Sequence, residues 1–324
     1  MLVNSQNVEN LRAAIRVGQC EGQFLPSVYV VEPVSRCNLR CVMCPNSKMT
    51  PSNFGDIEIE KFCLVLDIIS PYCEFLMLYW MGEPLLHKDF EILMREARQR
   101  IRGRIVVSSN MTFMTESMAD SIITHADVVL CSIDRWKKSA YERIRLGASF
   151  ESTIQNTKLL LSRKSSDSTC KVIVKALDMK NESEEYAAFS EFWGALGATP
   201  MLAWLNDWAG TLPAIRNAAR IPIPIISSQR VACTDLWFKM IVNWRGDVQM
   251  CCFDWDYKHS IARIDRTSSL QSIWHSEKMI SLRREQLAAN WKANDLCEGC
   301  TSWGQPHEFD AYIDFEEGSH FVVF

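Results

Sequence analysis

Along roughly the first two-thirds of the chain, short apolar runs alternate with segments whose apolar residues recur at helical spacing. The runs at 28–31, 74–80, 104–109, 127–133, 171–177 and 200–205 read as strands. Between them, 59–69, 88–101, 115–125, 150–162 and 182–196 read as helices. Strands joined by crossover helices imply a parallel sheet. Residues 1–26 form a short polar and helical lead-in. The alternation stops after Leu205, where 209–213 and 221–224 carry the prolines and glycine of a linker. Beyond it, 238–244 and 248–251 flank Arg245-Gly246-Asp247 as a hairpin. A helix over 270–287, a Cys-x2-Cys turn and an acidic, aromatic tail follow. The pattern divides the chain into 1–26, a barrel-like unit over 27–210, and a smaller unit over 211–324.

The loop that leaves the first strand holds Cys37, Cys41 and Cys44. Such a loop can fold three thiolates round one cubic iron–sulfur cluster, which needs four ligands, so one iron stays open to something other than protein. A zinc knuckle or buried free thiols are the alternatives. Zinc asks for a fourth ligand close by, and the next His, Cys or acid is Asp56. With this loop after the first strand, the sheet closes most naturally as a partial barrel, its active face at the carboxyl ends of the strands.

The Cys-x3-Cys-x2-Cys loop resembles that of the radical S-adenosylmethionine (SAM) enzymes. The resemblance implies a [4Fe–4S] cluster whose open iron chelates SAM, and a reductant such as flavodoxin or ferredoxin. It also implies reductive cleavage of SAM to a 5′-deoxyadenosyl radical, which takes a hydrogen atom from a substrate carbon. On the same likeness, Gly82-Glu83-Pro84 corresponds to the family's Gly-Gly-Glu-Pro, with Met81 in place of the first glycine. Gly82 would let backbone approach SAM, and Glu83 would accept from its ammonium group. Ser109 and Asn110 would stand for the ribose contacts, Ser132 and Asp134 for a stretch near SAM. Arg145 would pair with the SAM carboxylate or lie solvated, and Met43 sits where an aromatic residue often stacks on adenine.

Composition narrows the class. Net charge is −4, and with no long basic run this argues against nucleic acid. No apolar stretch approaches the roughly 18 residues of a membrane span, and the N-terminus does not read as a signal peptide, so a cytoplasmic setting is expected. Thirteen cysteines there point to metal ligation rather than disulfides. Cys20, Cys63, Cys73, Cys131 and Cys170 fall in helical or strand patterns and read as buried thiols.

Cys233, Cys251, Cys297 and Cys300 form a second group whose layout resembles the shortened SPASM domain called Twitch. That likeness implies one auxiliary [4Fe–4S] cluster, with a four-thiolate zinc ribbon as the alternative. Cys252 competes with Cys251, since adjacent side chains can point opposite ways. Trp204 and Trp208, near the last barrel strand, either stack on substrate or pack an interface. The expected fold is α/β: a partial (β/α)6 TIM-type barrel followed by a small α+β Twitch/SPASM-like iron–sulfur domain. The resemblance points to net oxidation of a small molecule, a sugar or aminocyclitol, in natural-product biosynthesis. The alternative is maturation of a ribosomally made peptide. The 36 residues before Cys37 are few for a leader-binding domain, so a separate leader-binding protein would then be the partner. A non-catalytic iron–sulfur or zinc protein is the reading of another class.

Overall fold

A computed structural model describes residues 2–178, 183–216, 230–300 and 302–304. The six strands read from the sequence are present: β1 Val28–Val31, β2 Phe75–Leu78, β3 Arg104–Ser109, β4 Val128–Asp134, β5 Lys171–Asp178 and β6 Thr199–Trp204. They pair in parallel in chain order. Every residue of β1 and β2 is buried, as a strand covered on both faces requires.

Helices α1 Ser5–Val17, α2 Ile59–Ile69, α3 Phe90–Arg100, α4 Glu116–His125, α5 Lys138–Ile144, α6 Phe150–Ser162 and α7 Ser183–Ala195 accompany these strands. The helix α5 was not foreseen. It has seven residues, and it is held by Ala140, Tyr141 and Ile144 on one buried face and by a 2.8 Å hydrogen bond from Tyr141 to Thr153.

The remaining strands, β7 Lys239–Val242, β8 Asp247–Gln249 and β9 Ser260–Arg263, extend the same sheet. β7 lies parallel to β1, with Tyr29 opposite Met240, so the hairpin is built onto the open edge of the barrel sheet. The turn between β7 and β8 places Gly246 at φ 84°, a conformation glycine adopts without steric cost. β9 adds a third antiparallel strand that the hairpin pattern did not show.

The helix expected over 270–287 is two: α10 Leu270–Trp274 and α11 Glu277–Leu287, following the short helices α8 Pro213–Arg216 and α9 Asp235–Phe238. Ser276 at the joint is extended, and the His275 ring is fixed 2.9 Å from the Phe24 carbonyl. α12 Asp295–Glu298 closes the Cys-x2-Cys turn. The second linker stretch, the start of the 182–196 helix, the Trp204 side chain and nearly all of the acidic tail lie outside the described residues.

Candidate active site

The cysteine loop is clamped before any ligand is considered. Arg40 N donates to Leu146 O and Val42 N to Ile144 O, both at 2.9 Å, so the segment after α5 runs beside the loop. Leu39 is buried beneath it. The Cys37 sulfur accepts from Leu39 N at 3.5 Å and from the Asn110 amide at 3.7 Å. Cys44 sits at the head of a short turn, Pro45–Lys48, and the Asn46 amide faces its sulfur. Burial pushes Cys37 up to about 11 and Cys44 up to about 12. Burial also raises Cys41, against the pull of the Arg145 guanidinium. Desolvated thiols of this kind stay protonated until a metal centre supplies positive charge.

Gly82, Glu83, Asn110 and Arg145 come against this loop or its approach, and Ser132 is half-buried at a β-bulge where β4 shifts register against β5. A Cβ on Gly82 would lie 2.0 Å from Val34 O, so no side chain fits there. Glu83 N donates to Arg36 O at 2.9 Å, pinning the turn to the approach of the cysteine loop. The Glu83 carboxylate is buried, accepts from Asn110 N at 2.7 Å and Leu85 N at 3.2 Å, and has the Ser109 hydroxyl beside it. Burial raises its pKa to about 7 despite those donors.

Asn110 is engaged with protein: its amide donates to Asn38 at 3.0 Å, and its oxygen accepts from Thr112. Ser109 Oγ accepts from Met111 N. Asp134 adopts φ 64°, uncommon for a residue with a Cβ, and accepts from Arg145 Nε at 2.6 Å. Arg145 is 9% exposed, which overturns the solvated reading of this side chain. The Asp134 carboxylate holds its guanidinium above the usual arginine range against the cost of burial.

The second group is gathered beside β7 and β8, with the Trp80 indole, just after β2, donating to Cys252 O at 2.8 Å. Cys233, Cys251, Cys252 and Cys300 lie within electrostatic reach of one another, and Cys297 neighbours Cys300. Cys251 and Cys252 are not on opposite faces: they follow β8 in a turn, where strand alternation has ended, and their sulfurs meet. Cys251 donates to Cys252, which raises the first thiol and lowers the second.

A local pattern separates them. Cys251 accepts from Phe253 N and Cys300 from Ser302 N, each at 3.4 Å, and the Asp235 amide faces Cys233. These are the same bonds, from an amide two residues on, that Cys37 and Cys44 receive. For Cys252 the neighbours are Asp235, at 4.0 Å, and Lys239. Gln286, buried on α11, accepts from Cys233 N and donates to the Cys297 sulfur at 3.2 Å. Cys20 and Cys63 prove half-buried, whereas Cys73, Cys131 and Cys170 are buried as expected.

Two features join the groups: Glu32, which pattern-reading missed, and Trp208, which it singled out. Glu32, directly after β1, is fully buried and accepts from Tyr257 OH at 2.8 Å, Met81 N at 3.2 Å and Trp244 N at 3.3 Å. Burial raises it to about 7. An acid directly after an apolar strand run is an ordinary pattern and gave Glu32 no distinct signal, whereas Glu83 stood out through Gly82-Glu83-Pro84. Trp208 is the second feature: Nε1 donates to Met43 O at 2.9 Å, and its ring meets Phe253 edge-on at 5.8 Å. Packing at an interface is therefore its observed state.

Among the described residues, no three His, Cys, Asp or Glu side chains are gathered tightly enough to hold a single metal ion. The N–H donors aimed at the sulfurs of Cys37, Cys44, Cys233, Cys251 and Cys300 suit an iron–sulfur cluster, whose properties such bonds tune. Among the described residues, no helix is long and apolar enough to cross a membrane.

Comparison with known proteins agrees with this geometry. A family model for the radical SAM superfamily matches residues 31–189, and one for the SPASM iron–sulfur cluster-binding domain matches 233–301. The chain is 21% identical over 279 residues to an S-adenosyl-L-methionine-dependent 2-deoxy-scyllo-inosamine dehydrogenase of Niallia circulans, covering 85% of this chain and 93% of that protein. It is 33% identical over 107 residues to a tungsten-containing aldehyde ferredoxin oxidoreductase cofactor-modifying protein of Pyrococcus furiosus. That match covers 32% of this chain and only 30% of the Pyrococcus protein.

Among solved structures, BtrN in complex with AdoMet and 2-DOIA superposes with a TM-score of 0.59 at 18% identity, over 86% of this chain and 93% of that one. Streptococcus suis SuiB bound to precursor peptide SuiA gives 0.62 at 14% identity, over 85% of this chain and 70% of that one. These likenesses show the fold.

Proposed function

The chain belongs to the radical SAM superfamily and carries a C-terminal SPASM domain, and from that premise we propose that it oxidises a small polyhydroxylated or aminocyclitol-like substrate by removing hydrogen from an unactivated carbon. Cys37, Cys41 and Cys44 would hold the SAM-binding [4Fe–4S] cluster, and Cys233, Cys251, Cys297 and Cys300 one auxiliary cluster. When bound, the first cluster with SAM supplies a hydrogen-abstracting radical, and the auxiliary cluster supplies an electron acceptor.

The chain's own groups do the placing. Glu83 presents a desolvated carboxylate to the SAM ammonium. Arg145, oriented by Asp134, offers its guanidinium to the SAM carboxylate. Asn38 and Asn110 fix the loop beside the ribose, and Met43 offers a thioether to adenine. Trp208 and the residues around Tyr257 exclude water between the two thiol groups.

One observation carries the substrate class: likeness to the inosamine dehydrogenase runs along 85% of this chain and 93% of that one. The fold shared with SuiB, solved with a precursor peptide, favours peptide modification as a second reading. The test is anaerobic turnover of reconstituted protein with SAM and reductant, offering deuterated aminocyclitols and short peptides in parallel. Deuterium in 5′-deoxyadenosine from an aminocyclitol is expected. Label arriving from a peptide alone would replace the first reading with the second.

A further inference from the structure

Lys239 opens β7 with its side chain only 11% exposed, and its ammonium lies 2.7 Å from Asp235 Oδ2. That same carboxylate oxygen is 4.0 Å from the Cys252 sulfur. The ammonium is also within electrostatic reach of Cys252 and Cys233. The edge itself is held by the main chain, through which β7 pairs with β1, and α9 is a single turn. A buried ion pair is a costly element of structure. Its location beside four mutually interacting thiols gives it a role that packing does not.

Charge close to a buried redox centre acts with little solvent screening, and such charge is one of the determinants of an iron–sulfur potential. We propose that Lys239 and Asp235 are opposed tuning residues of the auxiliary centre, the ammonium favouring the reduced cluster and the carboxylate opposing it. The proposal rests on the auxiliary-cluster reading. The other charges facing these thiols are Arg230, toward Cys297 and Cys300, and Glu285 and Asp295, toward Cys297. They lie on the α11–α12 side, so among the described residues Lys239, at the start of β7, and Asp235, on α9, are the pair facing Cys233 and Cys252.

The experiment is an anaerobic EPR redox titration in a C37A/C41A/C44A background, which leaves only the auxiliary signal. Iron and sulfide are counted first. At the potential where the parent is half reduced, K239M is expected to lower the reduced-to-oxidised ratio about tenfold, which is about 59 mV for a one-electron couple. D235N is expected to raise that ratio, and K239M/D235N to return toward the parent. Potentials unmoved in both single variants, or moved in the same direction, overturn the proposal. If K239M does not load iron, the opposite shift in D235N and the position of the double variant decide. No iron in the background protein overturns the auxiliary-cluster reading and the proposal with it, an outcome distinct from loaded clusters of unchanged potential.

Discussion

The indole of Trp208 donates to the main-chain carbonyl of Met43 across 2.9 Å, tying the turn after β6 to the cysteine loop after β1. The same turn reaches the auxiliary side through Phe253 and through Trp255, whose Nε1 bonds Thr211 Oγ1 at 3.2 Å. W208F keeps a ring against Phe253 but deletes the donor, so it should lower stability by about 1 kcal/mol. W208A also empties the ring's site and should cost about 3 kcal/mol or more. Thermal midpoints of the reconstituted proteins check the ranking, and equal midpoints for the two variants would contradict it.

Glu83 gives SAM affinity a pH dependence. Burial raises its pKa to about 7. A cation binding beside it needs the ionised form, so affinity should fall as pH drops through 7, by up to about tenfold per unit. In E83Q, binding should be weaker and flat over the same range. Equilibrium dialysis of SAM at pH 6, 7 and 8 reads both effects.

The Asp134–Arg145 pair is buried at one end, with the Asp134 side chain 2% exposed. R145M would leave that carboxylate uncompensated, at a cost of about 3–5 kcal/mol. D134N/R145M should recover part of the loss, because no buried charge is stranded. Denaturation midpoints for the three proteins measure this directly. A double variant less stable than R145M would rule out charge stranding as the cause.

Glu32 shifts the pH–stability profile in a defined direction. Its folded pKa, about 7, lies above its ordinary value because of burial. Between roughly pH 4.5 and 7 the folded chain therefore holds more protons than the unfolded one, and stability falls as pH rises through that window. The change attributable to Glu32 is about 3 kcal/mol. E32Q should flatten that part of the profile, seen by comparing thermal midpoints at pH 5.5 and 7.5.

Much of the barrel was legible because its signals are local. The 28–31 strand and the 59–69 and 150–162 helices have the extents their periodicity gives. Cys37, Cys41 and Cys44 were legible from their spacing and from the strand before them. What escaped depends on distant pairing. Nothing within 239–242 says that this strand will lie against 28–31, some two hundred residues earlier. The break at His275–Ser276 reflects a bond to Phe24 O, invisible to helical periodicity. Cys251 and Cys252 share one side because the chain has already turned out of β8, a distinction finer than alternation resolves. Glu32 and Lys239 look ordinary in sequence; only tertiary burial gives them their electrostatic weight.

The thiol loop as a cluster site open to SAM is most directly tested by EPR of the dithionite-reduced protein with and without SAM. Wild type should show a cluster signal that SAM perturbs, and C37A/C41A/C44A should lose that signal while retaining a second one indifferent to SAM. A wild-type spectrum that SAM leaves unchanged, or a perturbed signal that survives loss of all three thiols, would contradict the account.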